Sequence, residues 1–201
     1  MERRGKVLKF IYLLLNRTTL IVIAFAATLV IVIGGRFELA SAAQPNAELE
    51  IQKLTVCYAL GINAIGRGNL QEGKNIWRDC FTRDAEFTIK NPVAGVVAQR
   101  TGSDAWADYA YSYFQGKGYT ATQHLMGSIN VLVLNANQAT MSSYLYATQK
   151  LSETSVDVNN GTYEDEVVKE YRRWKIRRRT LNGIVALNLK STTDSTGANQ
   201  Q

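Results

Sequence analysis

The sequence is poor in the residues that most often declare a chemistry. It has two cysteines, Cys57 and Cys80, and one histidine, His124, in 201 residues. Two cysteines exclude a disulfide-rich scaffold and a cysteine metal site. No cluster of ligating side chains accompanies His124, so no metal is expected. There is no glycine-rich phosphate loop between a strand and a helix, and no nucleophile beside a base motif. No cofactor is therefore expected, and no internal repeat is visible.

Charge excludes a further class. The formal net charge is +6, but residues 1–42 hold six Lys/Arg against two acids, and the remaining residues hold seventeen against fifteen. Only +2 belongs to the part that folds, which removes the electrostatic case for nucleic acid as a partner.

What is present begins with a leader. Arg3, Arg4, Lys6, Lys9 and Arg17 precede a run without charge from Thr18 to Gly35. A basic start followed by an apolar run directs a chain to a membrane, with the basic side left in the cytoplasm. Residues 1–42 are thus expected to be a signal peptide or a membrane anchor formed by a hydrophobic helix, and the rest to be extracytoplasmic, periplasmic or secreted. Ala40-Ser41-Ala42 fits a cleavage site, whereas the sixteen uncharged residues Thr18 to Ile33 slightly exceed a usual signal core, so both fates stay open.

Beyond the leader, residues 47–185 have the size of one domain. Ile51, Leu54, Tyr58 and Ile65 recur at helical spacing up to Gly66-Arg67-Gly68. Asn69 with Glu72 forms a capping signature before a second helix marked by Leu70, Trp77 and Phe81. Strands are expected at Glu86–Lys90 and Val93–Arg100, then a helix capped by Ser103 or Asp104 and stopped at Gly116-Lys117-Gly118. Strand-like segments follow over 119–134 and 138–149, and a last hairpin runs from Thr162, turns near Arg172, and reaches Leu181 or Leu189. Helices first and strands later indicate an α+β fold. Residues 190–201, rich in Ser, Thr, Asn and Gln, read as a disordered tail.

Several residues admit two readings. Antiparallel packing of the first two helices brings Cys57 and Cys80 side by side, as a disulfide in an oxidising compartment or as two buried thiols. A hairpin centred on Ala136 pairs His124 with Thr148 and Met126 with Tyr146, giving His124 a face shared with tyrosines. The other face, with Leu125, Ile129, Val131 and Val133 against Ala147, Leu145 and Met141, is the more apolar. Either that face meets the helices and His124 points to water, or the mixed face lines a pocket; a bulge at Gly127 would re-phase the strand. The basic run Lys169 to Arg179 reads as a solvated hairpin in which Lys175 faces Glu170 and Arg179 faces Glu166. Tyr58, Trp77, Trp106, Tyr109 and Tyr113 read first as core. Asn160-Gly161-Thr162 fits a glycosylation acceptor or a plain turn.

Taken in order, Cys57-Tyr58-Ala59, Ala64-Ile65-Gly66-Arg67-Gly68, Cys80-Phe81-Thr82-Arg83-Asp84-Ala85, Thr122-Gln123-His124-Leu125, Gly161-Thr162-Tyr163-Glu164-Asp165 and Trp174-Lys175-Ile176 resemble the SnoaL-like proteins of the nuclear transport factor 2-like superfamily. The resemblance covers about Glu48 to Gly183. It implies a cone of helices on a curved, mostly antiparallel sheet, a pocket for a small hydrophobic molecule, and a homodimer. Polyketide cyclases, scytalone dehydratase and hexachlorocyclohexane dehydrochlorinase are similar; in them a histidine abstracts a proton and an aspartate on the first helix supports it.

His124 matches the histidine, and Asn63 stands where the aspartate is expected. Asn63 can hydrogen-bond an imidazole but cannot stabilise an imidazolium; in serine-protease triads an Asp to Asn exchange costs about 10,000-fold in rate. The catalytic candidates are His124 as base and Asn63 as its orienting partner. The candidate substrate contacts are Tyr58, Trp106, Tyr146 and, as a pocket cation, Lys169. The resemblance implies a cofactor-independent lyase or isomerase; the alternatives are a non-catalytic module for a small molecule or lipid, and a domain that only associates through its sheet.

Overall fold

The structure, a computed structural model, describes residues 46–191. The expected leader helix and nearly all of the expected tail lie outside the described residues. Helix α1 occupies residues 46–66. It is followed by α2 (Leu70–Cys80), β1 (Phe81–Asn91), β2 (Gly95–Thr101), α3 (Ser103–Lys117), β3 (Ala121–Asn135), β4 (Gln138–Ser152), β5 (Ser155–Glu170) and β6 (Arg173–Lys190). Among the described residues, no helix is long and apolar enough to cross a membrane.

Local signals explain most boundaries. Asn69 caps α2 by accepting at Oδ1 from the Glu72 backbone N–H at 3.2 Å, while its side-chain Nδ2 donates to the Glu72 carboxylate at 2.7 Å. Gly118, at φ +73°, ends α3 in the left-handed conformation that glycine adopts without penalty. At the start of α3 the cap is neither Ser103 nor Asp104: Gly102 holds the N-cap position without a side-chain bond, and Asp104 is drawn off to Arg78. Phe81, expected on the second helix, instead opens β1 directly from Cys80. Strand β5 begins earlier than the hairpin pattern suggested, and Lys190, assigned to the tail, is the last residue of β6.

Three helices pack on a six-stranded curved sheet of order β2-β1-β6-β5-β4-β3, and all neighbours are antiparallel except β1 and β6. The apolar stripe of α1, with Ile51, Tyr58, Ile62 and Ile65 all buried, faces the aromatic core. Tyr58 stacks on Trp77 with ring centroids 5.2 Å apart, and the Trp77 indole N–H donates to the Tyr58 carbonyl. Gly61 makes this approach possible: a Cβ there would lie 2.3 Å from the Trp77 ring. Cys57 and Cys80 form a disulfide between α1 and α2, with Cα atoms 6.1 Å apart, within the usual span. The open choice between bond and thiols is thus settled as a bond.

The register of β3 on β4 decides which side chains meet the helices. Near the turn, Val131 pairs with Met141 and Val133 with Ala139, as a hairpin centred on Ala136 requires. Ser128 then takes φ +48° and the register shifts between Gly127 and Asn130. Past this bulge His124 pairs with Ala147 and Leu125 with Tyr146, one residue from the expected pairing. A one-residue slip exchanges the faces of a strand. His124 therefore joins Ile129, Val131, Leu145 and Ala147 on the side facing the helices, while Leu125, Tyr144 and Tyr146 are exposed on the other.

A buried ion pair crosses the sheet's inner face. Arg179 on β6 donates to the Asp165 carboxylate on β5 through two bonds of 2.8 and 2.6 Å, and both residues are buried. This corrects the solvated partner expected for Arg179, Glu166. Glu166 bonds Arg177 and Arg178 on the outer side, so the solvated reading holds for those arginines. The Arg179 guanidinium lies 4.2 Å from the Tyr58 ring and 4.4 Å from the Tyr163 ring. Burial lifts the Asp165 carboxyl above its ordinary value, against the pull of Arg179.

Removing one partner would strand the other charge without water. Arg179→Met should cost about 3–5 kcal/mol in a denaturant melt, and Arg179→Met combined with Asp165→Leu should cost distinctly less. Equal losses in the single and double variants would show that the pair does not act as a unit.

Candidate functional site

Between the helices and the inner face of the sheet lies a cavity of about 350 Å³. Its wall is largely apolar: Ile62 from α1, Trp106, Ala110 and Phe114 from α3, and Leu145 and Ala147 from β4. Tyr58, Tyr163 and His124 border the same space. Apolar walls with a few converging polar groups are the usual build of a small-molecule site.

His124 reaches this cavity because of the Gly127–Ser128 bulge, and α1 meets it there. Its Nδ1 lies 3.1 Å from Asn63 Oδ1 and 3.4 Å from Thr122 Oγ1. Thr122 donates its hydroxyl proton to the Thr148 carbonyl at 3.2 Å, so its oxygen can only accept from the ring. Both neighbours are served by a proton on Nδ1. That tautomer leaves Nε2 unprotonated, with a lone pair for the cavity.

Burial holds the His124 imidazole well below its ordinary value, at about 3, with no carboxylate to oppose it. The ring is neutral at physiological pH. It also stands edge-on to Tyr58, with centroids 6.4 Å apart.

Three further polar groups serve the site. Tyr163 donates its hydroxyl to Tyr58 Oη at 3.3 Å, leaving the Tyr58 proton free to serve another acceptor. Burial raises the Tyr58 phenol above its ordinary value, so it is a donor rather than an anion. Trp106 Nε1 and Asn160 Oδ1 are buried without hydrogen-bond partners, and both residues line the cavity. Unpaired buried polar atoms are costly in a finished core; at a cavity wall they are groups a ligand can satisfy.

Of the residues singled out in the sequence, the structure brings together His124, Asn63, Tyr58 and Trp106. It does not bring in the other two. Tyr146 is 47% exposed on the outer face, where the unbroken alternation of β4 puts it, opposite Leu125. Lys169 sits with its ammonium 5.3 Å from the Trp174 ring, and neither residue borders the cavity.

Asp165, Arg179 and Asn160 escaped sequence reasoning. The signal for Asp165 and its cation was the alternation along β5, where Gly161, Tyr163, Asp165 and Val167 all point inward, whereas Asn160 is out of that phase, at the register shift before Gly161. An acid between Tyr163 and Val167 in that phase must be buried and needs a cation. Asn160-Gly161-Thr162 is neither a turn nor an open acceptor; it lies within β5, where the register shifts opposite Val185 and Gly183.

Among the described residues, no group of three or more His, Cys, Asp or Glu is placed to hold a metal ion. The polar groups at the cavity suit hydrogen bonding and proton exchange with a neutral ligand.

Comparison with known proteins agrees with this architecture. No curated protein matches the chain. A putative scytalone dehydratase from Novosphingobium aromaticivorans superposes with a TM-score of 0.59 at 20% identity, covering 73% of this chain and 90% of its own. A type 2 hexachlorocyclohexane dehydrochlorinase does so with a TM-score of 0.61 at 16% identity, covering 75% and 94%. A Mycobacterium tuberculosis protein of unknown function gives 0.55 at 24% identity, covering 72% and 75%. At such identities these likenesses establish the shared fold. The model of the SnoaL-like domain matches residues 45–180, from α1 into the first half of β6, and the chain belongs to that family, within the nuclear transport factor 2-like superfamily.

Proposed function

We propose that this domain binds one small, largely apolar molecule in the cavity, with His124 Nε2 as the acceptor that orients it. The observation that carries this reading is the combination of apolar wall and unspent polar atoms. Nε2 and Asn160 Oδ1 can accept, and Trp106 Nε1 and the Tyr58 hydroxyl can donate. A neutral molecule with a carbonyl or hydroxyl group on a hydrophobic body satisfies both kinds.

A second reading makes His124 a base, in a cofactor-independent lyase or isomerase. The Nδ1–H tautomer held by Asn63 favours it, because it presents the basic nitrogen to the ligand. The shared fold with proteins named a dehydratase and a dehydrochlorinase supports it as well. Against it stands the absence of a carboxylate on the ring: the imidazolium formed by proton abstraction would rest on the neutral dipoles of Asn63 and Thr122. Binding is therefore the primary reading.

Extraction of the purified protein should release a small apolar compound, and His124→Gln should weaken its rebinding about tenfold through the lost hydrogen bond. Turnover of that compound, abolished in His124→Ala, would move the second reading ahead. A cavity that retains nothing and turns over nothing would defeat both.

The ring also makes a pH prediction. Its value falls from about 6.5 in the unfolded chain to about 3 in the folded one. The unfolded state thus gains a proton first as pH drops. His124 should leave stability intact above pH 6.5 and erode it toward pH 3, with a slope of at most about 1.4 kcal/mol per pH unit. Thermal melts of His124→Gln should lack this component. Asn63→Asp should move the imidazole titration seen by NMR to higher pH; an unmoved titration would mean that Asn63 does not control the ring.

We further propose that the domain works outside the cytoplasm, exported or anchored by residues 1–42. The basic residues ahead of the apolar run support this, and so does the Cys57–Cys80 disulfide, a bond that persists in oxidising compartments. Both cysteines should resist alkylation in intact cells until a reductant is added. Alkylation without reductant would place the domain in a reducing compartment.

A further inference from the structure

The cavity's rim has a composition that the fold does not require. The β1–β2 turn is fixed: Asn91 Oδ1 accepts from the amides of Val93 and Ala94 at 2.9 and 3.0 Å, and Gly95 takes φ +70°. This rigid tip holds Val93 96% exposed. Pro92 beside it lines the cavity, as do Val97, Tyr113, Ile184 and Val185, all of them more than a third exposed. A fixed, contiguous and exposed apolar rim around an apolar cavity marks a surface that meets another apolar phase.

The charges of the rim have one sign. Lys90 borders the cavity, Arg100 lies over the Tyr109 ring at 4.6 Å, and Lys117 over the Tyr113 ring at 5.8 Å. Among the described residues none of the three has an ion-pair partner. Of the acids on neighbouring elements, Asp104 is paired with Arg78 and Asp108 with Lys74, while Asp157 is hydrogen-bonded by the Tyr119 hydroxyl and the Asn188 amide and keeps its charge within reach of Lys117. Free cations beside exposed valines fit a layer that is anionic outside and apolar within. They do not fit a second copy of the same rim, which would set three cations against three.

We propose that this rim docks on an anionic bilayer surface, with Val93 entering the headgroup layer and the cavity opening toward the lipid. The docking rests on the rim alone. Its use, loading the cavity with a molecule dissolved in the membrane, rests on the binding function proposed above. It is an attachment distinct from any made by residues 1–42, and it sets the orientation of the domain on the membrane.

The test uses the full chain carrying Val93→Trp, incorporated in vesicles of brominated phosphatidylcholine and phosphatidylglycerol, with Leu132→Trp on the far face of the sheet as control. Emission is read as the difference from the unsubstituted chain. Quenching is expected for Val93→Trp, not for Leu132→Trp, and should fall when phosphatidylglycerol is omitted or when Lys90→Glu and Lys117→Glu are added. No quenching at either position overturns the proposal, as does equal quenching at both. Quenching indifferent to lipid charge and to the two glutamates overturns the electrostatic part. A chain that still retains its extracted compound while showing no quenching would refute the docking and leave the binding reading standing.

Discussion

The buried pair of Asp165 and Arg179 is the constraint on which the rest of the molecule depends. It joins two neighbouring strands where the sheet meets the helices, and the guanidinium supports the rings of Tyr58 and Tyr163 from below. Tyr58 in turn carries Trp77 on its other side and borders the cavity. A pair in water would contribute little. Sealed under aromatic rings, its cost of desolvation is offset only by close geometry, so its partners must stay where they are.

Much of this arrangement was legible in the residues, and the part that was not has a definite physical origin. Helix caps and stripes are local: Asn69 with Glu72, and the spacing of Ile51, Leu54 and Tyr58, fixed α1 and α2 without tertiary information. The hairpin centre at Ala136 was legible too, and it gives the right pairs up to Val131 and Met141. One extra residue near Ser128 then reversed the phase of β3, which took His124 away from the face it was expected to share with Tyr146 and into the apolar layer. Gly127 was the visible hint of a bulge, but a bulge's position within a two- or three-residue window depends on what the helices will bury. The burial of Arg179 and the absence of Lys169 from the cavity wall escaped the pattern on similar grounds, since the register of a charged hairpin is weakly encoded when both of its faces carry polar residues.

The pairing of His124 with Asn63 separates two properties that an aspartate would join. An amide oxygen fixes the ring's tautomer and direction as a carboxylate would, yet adds no charge. The ring is therefore oriented and at the same time kept neutral by its dry surroundings. Such a ring serves well as a fixed acceptor. It becomes a competent base only with a substrate whose own developing charge compensates the imidazolium.

The strand order has a consequence for how the chain is made. Among the described residues the only parallel contact in the sheet, β1 on β6, lies between its two halves, because β6 stands between β1 and β5. A polypeptide emerging from its N-terminus completes β1–β2 and β3–β4–β5 as separate pieces, each with a bare edge, and no strand joins them until residues 173–182 appear. Arg179 arrives in that same stretch. Until Arg179 follows, fourteen residues later, Asp165 is thus a carboxylate without a cation on an open edge, exposed to the association that unpaired strands invite. A chain that ends before β6 would present its own half-sheets to its neighbours instead of to each other.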